Sequence, residues 1–190
     1  MRLAAAAPNP GVSAWAALQY AAQVRPEHHL LVLGATGVTG SLAVQPAKSE
    51  FGLQRVVVAR RDTSRLDWLR DDGADEVIRL GHDDLTARVA AAHVERPFDA
   101  VIDYLWGEPA EQALAALGNQ GLGAQFHATR FVQVDNMAGP TINLPAGILR
   151  SSGATLAGVG IGSLPREVLM QASRDSGPDC SRCSPADRSG

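Results

Sequence analysis

The chain has 190 residues, a length that suits one ordinary globular domain. Hydrophobic residues make up 45% of it and charged residues 19%, which excludes an intrinsically disordered chain as a whole. A formal net charge of −3 gives no basic excess, so we expect no nucleic-acid partner. Charges or turn residues interrupt every apolar run before the roughly 18 to 20 residues that cross a bilayer, so we expect no membrane span.

The amino-terminal segment is too short to act as a secretory signal. After Arg2, its apolar block ends at Pro8. The hydrophobic region of a signal peptide runs for about 7 to 15 residues. We therefore expect a cytoplasmic protein.

The predicted elements alternate between helices and strands. Ser13 is expected to cap a first helix that runs through Val24. Short apolar runs that end at turn residues predict strands, and segments of helical period predict helices. In chain order, these are strand 29–33, helix 38–49, strand 55–59, helix 63–71, strand 76–80, helix 83–94, strand 98–103, helix 109–117, strand 131–134, strand 155–159 and helix 164–172.

This alternation is typical of an α/β protein with a parallel sheet covered by helices on both faces. Six strands complete a doubly wound sheet. The stretch 118–129 has three glycines and no clear period, so we expect a loop there.

A glycine-rich turn directly follows the first strand and opens a helix. Residues without a Cβ allow a tight turn and let main-chain N–H groups approach a diphosphate, which the helix N-terminus would attract. The predicted binding residues are Gly34, Ala35, Thr36, Gly37, Val38, Thr39 and Gly40. Ser41 and Leu42 follow Gly40 in place of the Lys-Ser/Thr pair of a phosphoryl-transfer loop. Glycines used only for turn geometry are the alternative interpretation.

The end of the second strand indicates which dinucleotide is preferred. An acidic residue there would bind the ribose hydroxyls of NAD, but the strand ends in Arg60 and Arg61, and Arg65 follows. Arginine suits a 2′-phosphate, so we favour NADP(H) over NAD(H). A solvated helix face is the alternative, and Asp62 could also act as a displaced ribose ligand.

Several segments together resemble the cofactor domain of the medium-chain dehydrogenase/reductase superfamily, in particular its zinc-independent, quinone oxidoreductase-like branch. The resemblance covers roughly residues 9–172. Its segments are Asn9-Pro10-Gly11, Ser13 to Leu18, Leu31 to Gly40, Ala43 to Gln45, Gly73 to Ile78, Phe98 to Asp103 and Arg130 to Val134.

The resemblance implies a Rossmann NAD(P)-binding fold whose GroES-like catalytic domain is missing here. It implies three parts: a linker helix over 1–25, the dinucleotide-binding domain over 26–172, and a tail over 173–190. Half of the tail is Ser, Gly or Pro, which predicts disorder. The tail also holds both cysteines, Cys180 and Cys183, but no further metal-ligating cluster, so we predict neither zinc nor another metal site.

The resemblance also implies hydride transfer between a nicotinamide and a small carbonyl, quinone or activated alkene. Loops after the fourth and fifth strands would line the cofactor, which adds Tyr104, Asp135, Asn136 and Met137 to the expected binding residues. Tyr104 could equally be apolar cover over a strand end. The sequence gives no catalytic residue, because none of the five histidines has an obvious catalytic partner.

Two features depart from the family pattern. Pro46 lies inside the helix that follows the glycine turn, where it removes an N–H, so we expect a kink or an early stop. Asp135 stands where glycine is common in the family, so its side chain and charge would weaken cofactor binding.

Two further functions remain open at this point. One is a nucleotide-binding module without catalysis, including a decayed fragment. The other is an atypical short-chain reductase, although the chain lacks the Tyr-x-x-x-Lys pair of that family.

The expected partner is a small-molecule substrate. The strand over 155–159 would be a sheet edge, and an uncovered edge can pair with a second copy, which leads to the hypothesis of a homodimer.

Overall fold

The structure is a computed structural model that describes residues 8–34, 38–61, 73–118 and 126–175. Its strands are β1 His29–Leu33, β2 Arg55–Arg60, β3 Glu76–Arg79, β4 Ala100–Asp103, β5 Thr129–Gln133 and β6 Ala154–Gly158. Its α-helices are α1 Pro8–Trp15, α2 Val38–Ser49, α3 Leu85–Glu95, α4 Gly107–Leu117, α5 Ala146–Ser152 and α6 Arg166–Asp175. A π-helical segment, Ala16–Ala21, continues α1, and a 3₁₀ turn covers Ile161–Ser163.

The six strands form one sheet in the order β3-β2-β1-β4-β5-β6, and every neighbouring pair is parallel. This confirms the doubly wound α/β fold expected from the sequence. Because all strands run the same way, their last residues lie along one margin of the sheet, which we call the carboxyl edge. At that edge Leu33 of β1 lies opposite Ala59 of β2 and Asp103 of β4.

Alternate residues of the central strands fill two cores, one on each face of the sheet. On one face, Leu30 and Val32 join residues of α1, the π-helical segment, α2 and α6. On the other, Leu31 and Leu33 join residues of α3 and α4. Both faces are covered, which explains why these strands are continuous apolar runs. None of the described helices is long and apolar enough to cross a membrane.

The first helix begins earlier than the sequence indicated. It starts at Pro8, so Ser13 lies inside it, and the prediction that Ser13 caps the helix is wrong. Proline fits the first turn because the N–H that it lacks would have no partner there. The helix then widens into a π-helical segment, which ends at Ala21 and not at Val24.

Helix α2 runs through Pro46 to Ser49, so the expected early stop is wrong. Proline removes only the bond to the Leu42 carbonyl, and few residues follow it in the helix. The Pro46 carbonyl accepts the N–H groups of Glu50 and Phe51, both at 2.9 Å, which closes the end of the helix. Buried Ala43, Val44 and Ala47 hold α2 on the sheet.

Three sequence predictions fall wholly or partly outside the described residues. The predicted helix over 63–71 lies outside them, as does most of the predicted loop over 118–129. So does the predicted tail beyond Asp175, the last residue of α6.

Candidate functional site

The strand order places a crevice at the carboxyl edge between β1 and β4. The chain proceeds from β1 outward to β2 and β3, then crosses back to β4 and continues outward to β5 and β6. The connection after β1 crosses one face of the sheet, and the connection after β4 crosses the other. A gap therefore opens between the two connections above the neighbouring ends of β1 and β4. Open parallel sheets bind ligands at such a point.

Gly34 forms the floor of this crevice. It follows β1 with φ of +87°, and its N–H donates to the Ala59 carbonyl at 2.9 Å. A Cβ at Gly34 would lie 2.9 Å from Leu105 Cδ2 and 3.3 Å from Tyr104 Cβ. Both the backbone conformation and the close approach of the chain after β4 therefore require glycine.

The rest of the predicted diphosphate turn is only partly visible. Ala35, Thr36 and Gly37 lie outside the described residues. Val38 and Thr39 open α2, and Gly40 is buried in its first turn. The first turn of α2 thus begins four residues after Gly34, and its unpaired N–H groups give that end a partial positive charge.

The two arginines that end β2 differ in exposure. Arg60 is 1% exposed, which makes it one of the largest fully buried side chains of the described residues. Arg61 is exposed. Arg65, the third predicted phosphate ligand, lies outside the described residues. Of the three, Arg61 is therefore the one whose guanidinium is seen in contact with solvent.

Arg61 lines a cleft of about 470 Å³ beside the ends of β2 and β3, which we call the arginine cleft. Leu80 and Leu85 supply its apolar surface, and the first turn of α4 supplies Glu108 and Pro109. Asp83 and Asp84 also line it, but both have structural partners. Asp83 accepts the Arg79 N–H at 2.8 Å, which lowers the pKa of that carboxyl, and Asp84 caps α3 through the Ala87 N–H.

The loop after β4 lies on the other side of Gly34. Tyr104 is 4% exposed, and its hydroxyl has no hydrogen-bond partner among the described residues. Burial and the nearby Asp135 carboxylate raise the pKa of the Tyr104 phenol. Trp106 has φ of +55°, a left-handed conformation that is uncommon for a non-glycine residue.

A second cleft, of about 350 Å³, lies at the ends of β5 and β6, and we call it the tryptophan cleft. The residues that line it are Trp106, Gln133, Asn136, Pro140, Leu156, Ala157 and Gly158. Of the predicted residues after β5, Asn136 is in this lining, whereas Asp135 is exposed and Met137 is 75% exposed. The Asp135 side chain accepts the N–H of the next residue, Asn136, at 2.8 Å.

The structure thus separates the predicted site residues into two groups. Tyr104 lies beside Gly34, and its carbonyl accepts the Met137 N–H at 3.3 Å, so the loops after β4 and β5 meet. Arg61 lies in the arginine cleft, on the opposite side of β1 from Tyr104.

Sequence reasoning missed one functional candidate, Asp103. It ends β4, is 0% exposed, and accepts N–H groups from Leu105 and Trp106. Burial raises the pKa of its carboxyl to about 6, although these two N–H groups oppose the shift. An acidic residue at the end of an otherwise apolar strand was the signal that could have identified it.

Three histidines lie at the amino edge of the sheet, opposite the clefts. The sequence showed no obvious partner for His93 or His127, and the structure places each beside a polar group. His93 Nδ1 accepts the Phe98 N–H at 3.0 Å, and His127 Nε2 lies 3.2 Å from Asp99 Oδ1. His29 Nδ1 is 3.2 Å from the Pro97 carbonyl. Within residues 8–34, 38–61, 73–118 and 126–175, no three His, Cys, Asp or Glu side chains are grouped so that they could hold a metal ion.

Comparison with known proteins identifies the family. The family model described as zinc-binding dehydrogenase matches residues 38–168. The chain belongs to this family. The match runs from α2 to the first turn of α6, including both clefts and the loops after β4 and β5. It confirms the resemblance to the cofactor domain of medium-chain dehydrogenases/reductases that the sequence indicated, and it weighs against a short-chain reductase.

Solved structures share the fold at low sequence identity. A mycobacterial quinone oxidoreductase has a TM-score of 0.74 at 21% identity, and the alignment covers 91% of this chain and 51% of that chain. A mycobacterial protein complexed with NADPH has a TM-score of 0.71 at 21% identity, covering 88% and 50%. The Bacillus subtilis protein yhfP with NAD bound has a TM-score of 0.69 at 21% identity, covering 93% and 52%.

Two further findings describe how far these similarities extend. The present chain spans about half the length of the solved structures that it matches. No curated protein matches it.

Proposed function

We propose that the chain binds a nicotinamide dinucleotide along the carboxyl edge, with NADP(H) preferred over NAD(H). The observation that carries the proposal is the arrangement of the two clefts on either side of Gly34. The arginine cleft lies beside β2 and β3, the tryptophan cleft lies beside β5 and β6, and the start of α2 lies between them. A dinucleotide has the matching order of adenosine, diphosphate and nicotinamide.

The residues at the three positions fit the three parts of such a ligand. Gly34, with φ of +87°, turns the chain from β1 towards the first turn of α2, where N–H groups would bind the diphosphate. The arginine cleft offers apolar surface from Leu80 and Leu85 for a purine. The tryptophan cleft offers Trp106 as an apolar wall and the Gln133 and Asn136 amides as hydrogen-bonding groups for a nicotinamide carboxamide.

The preference for NADP(H) is supported by Arg61, which is exposed and lines the arginine cleft. A guanidinium can bind a 2′-phosphate through two parallel hydrogen bonds. Arg60 would support the strand end from within, because its side chain is buried. Arg65 remains a proposed phosphate ligand.

In this proposal the chain contributes the cofactor half of a zinc-independent, quinone reductase-like oxidoreductase. A bound nicotinamide supplies or accepts a hydride, and the substrate would be a small carbonyl, quinone or activated alkene. The described residues orient the ring and keep water from one of its faces through Trp106. The independence from zinc stays a prediction, which elemental analysis of the purified protein tests.

A nucleotide-binding module without turnover is the second candidate. One specific observation favours it: among the residues that the structure describes, the side chains that line the tryptophan cleft include no acid or base. The carboxylate of Asp103, which ends β4, is occupied by backbone N–H groups.

Titration followed by an activity assay separates the two candidates. NADPH and NADH are titrated into the protein by calorimetry, and quinone reduction is then followed by the loss of NADPH absorbance. Binding with turnover supports the oxidoreductase, whereas binding without turnover supports the module. A folded protein that binds neither nucleotide would refute both.

A further inference from the structure

The loop after β4 is held in place by a buried carboxylate. Asp103 Oδ1 accepts the Leu105 N–H at 2.8 Å and the Trp106 N–H at 3.1 Å, and Oδ2 lies 3.2 Å from the same Trp106 nitrogen. The side chain is fully buried. Both oxygens of Asp103 therefore face the backbone of the loop that carries Trp106.

This loop has a conformation that needs such support. Trp106 has φ of +55° and Gly107 has φ of +56°, so two consecutive residues adopt a backbone region that side chains disfavour. A Cβ on Gly107 would lie 3.1 Å from the Gly139 nitrogen, so the loop is also pressed closely against the segment after β5.

Two backbone hydrogen bonds join the loop to that segment. The Met137 N–H donates to the Tyr104 carbonyl at 3.3 Å, and the Ala138 N–H donates to the Leu105 carbonyl at 2.6 Å. The Trp106 side chain then forms one wall of the tryptophan cleft, opposite Leu156 and Gly158 of β6. The contacts thus lead from Asp103 through the loop backbone to the cleft.

We propose that Asp103 is a positioning residue that holds Trp106 as a wall of the tryptophan cleft and makes the affinity for a nicotinamide depend on pH. The part that concerns nicotinamide rests on the proposed function. Protonation of Asp103 replaces charge-assisted hydrogen bonds to the two N–H groups with weaker neutral ones. The loop then loosens, and the wall becomes less well defined.

The surroundings of Asp103 make its own titration the main source of this effect. In the sheet it lies between Leu33 of β1 and Gln133 of β5, neither of which is ionisable. The ionisable residues of the loop and of the adjoining elements are Tyr104, Glu108 and Glu111 of α4, Arg130 of β5, Asp135 after β5 and His29 of β1. None of them contributes to the pKa shift of Asp103, which burial dominates.

The first experiment reads Trp106 directly and needs no nucleotide. Tryptophan fluorescence and its quenching by acrylamide are followed from about pH 5 to pH 8, and the Trp106→Phe signal is subtracted to remove Trp15 and Trp68. We expect Trp106 to become more accessible below a midpoint near pH 6. In Asp103→Asn, which keeps the shape of the side chain without its charge, we expect no midpoint. Glu108→Gln is the matched control and keeps the wild-type midpoint.

The second experiment measures NADH affinity over the same pH range. NADH is used because it lacks the 2′-phosphate, whose second pKa, near 6, would obscure the result. We expect about fivefold to tenfold weaker binding on the acid side of the midpoint, since hydrogen bonds to charged acceptors are roughly twice as strong as neutral ones. Asp103→Asn is expected to bind at the weaker level throughout.

The outcomes separate this inference from the proposed function. A flat Trp106 signal in the wild type, or the same midpoint in Asp103→Asn, overturns the positioning role of Asp103. A Trp106 signal that titrates as expected, in a protein that binds NADH at no pH, supports that role and overturns the proposed function. NADH binding with no dependence on Asp103 leaves the proposed function in place and overturns the inference.

Discussion

Gly34 and Leu105 approach each other so closely that no Cβ fits between them. A Cβ on Gly34 would lie 2.9 Å from Leu105 Cδ2, although the two residues are far apart in sequence and follow different strands. The contact joins the turn after β1 to the loop after β4. These are the two segments between which the crevice at the carboxyl edge opens, so this glycine shapes the crevice as well as the turn.

Gly34→Ala is therefore expected to destabilise the protein by about 2–5 kcal/mol, combining a left-handed backbone penalty with overpacking against Leu105. Chemical denaturation measures this change in the free energy of unfolding. Gly81→Ala is the matched control, because Gly81 has a similar φ of +84° but nothing within 4 Å of its Cβ position. Equal losses in the two variants would show that the contact with Leu105 contributes nothing.

The sheet was the most predictable part of the fold. The run from His29 to Leu33 is apolar and ends at Gly34, so the bounds of β1 follow directly from hydrophobicity and a turn residue. Helix α5, Ala146–Ser152, was not predicted, because its segment has no clear apolar period. The residues that could have indicated this helix are Pro145 at its N-cap and Gly153, which has the left-handed conformation at its end.

The site was predictable only where local chemistry defines it. The prediction of a diphosphate turn rests on glycine spacing between a strand and a helix, and the structure places Gly34 directly after β1 with φ of +87°. The burial of Arg60 could not be foreseen, because residue type favours an exposed arginine at a strand end. The role of Asp103 depends on which N–H groups a loop turns towards it, and residue spacing does not carry that information.

Arg61 provides a test of nucleotide preference. Arg61→Gln is expected to weaken NADPH binding about tenfold, or ~1.4 kcal/mol, and NADH binding less than twofold, because only NADPH carries the 2′-phosphate. Calorimetric titration at fixed ionic strength gives both constants. Arg96→Gln removes the same charge from an exposed residue after α3 and is expected to change neither constant. Equal losses of NADPH and NADH in Arg61→Gln would count against a phosphate contact.

The histidines at the amino edge predict a second pH dependence, this time of stability. Burial and the neighbouring His127 lower the pKa of His93, while Asp99 partly opposes them. The unfolded chain therefore takes up a proton at His93 before the folded protein does. As pH falls below the unfolded value of about 6.5, His93 should lower the free energy of unfolding until the folded protein is protonated there as well, whereas Asp103, whose folded pKa is raised to about 6, acts in the opposite direction.

Urea denaturation at a series of pH values tests this expectation. His93→Asn keeps an acceptor near the position of Nδ1, which receives the Phe98 N–H, but it cannot be protonated. As the pH falls over this range, the wild type should lose stability relative to His93→Asn. His82→Asn, at an exposed histidine, serves as the control and should retain the wild-type profile. A stability difference between the wild type and His93→Asn that stays constant through this range would contradict the interpretation.

The edge strand β6 makes the proposed homodimer testable at a single N–H group. Strand β6 pairs only with β5 among the described strands, and the Val159 N–H donates to Gln133 of β5. Since N–H groups alternate in direction along a strand, the Leu156 N–H points away from β5. Leu156 is also 38% exposed, so its backbone N–H is available to a second copy.

Leu156→Pro removes that outward N–H and leaves the hydrogen bonds to β5 in place. We expect light scattering to report a dimer for the wild type and a monomer for Leu156→Pro, with unchanged circular dichroism. Leu156→Ala shortens the side chain but keeps the N–H, so it should remain dimeric if backbone pairing holds the copies together. A wild type that stays monomeric at high concentration would rule out the dimer. A dimer that both variants leave intact would place the interface elsewhere on the chain.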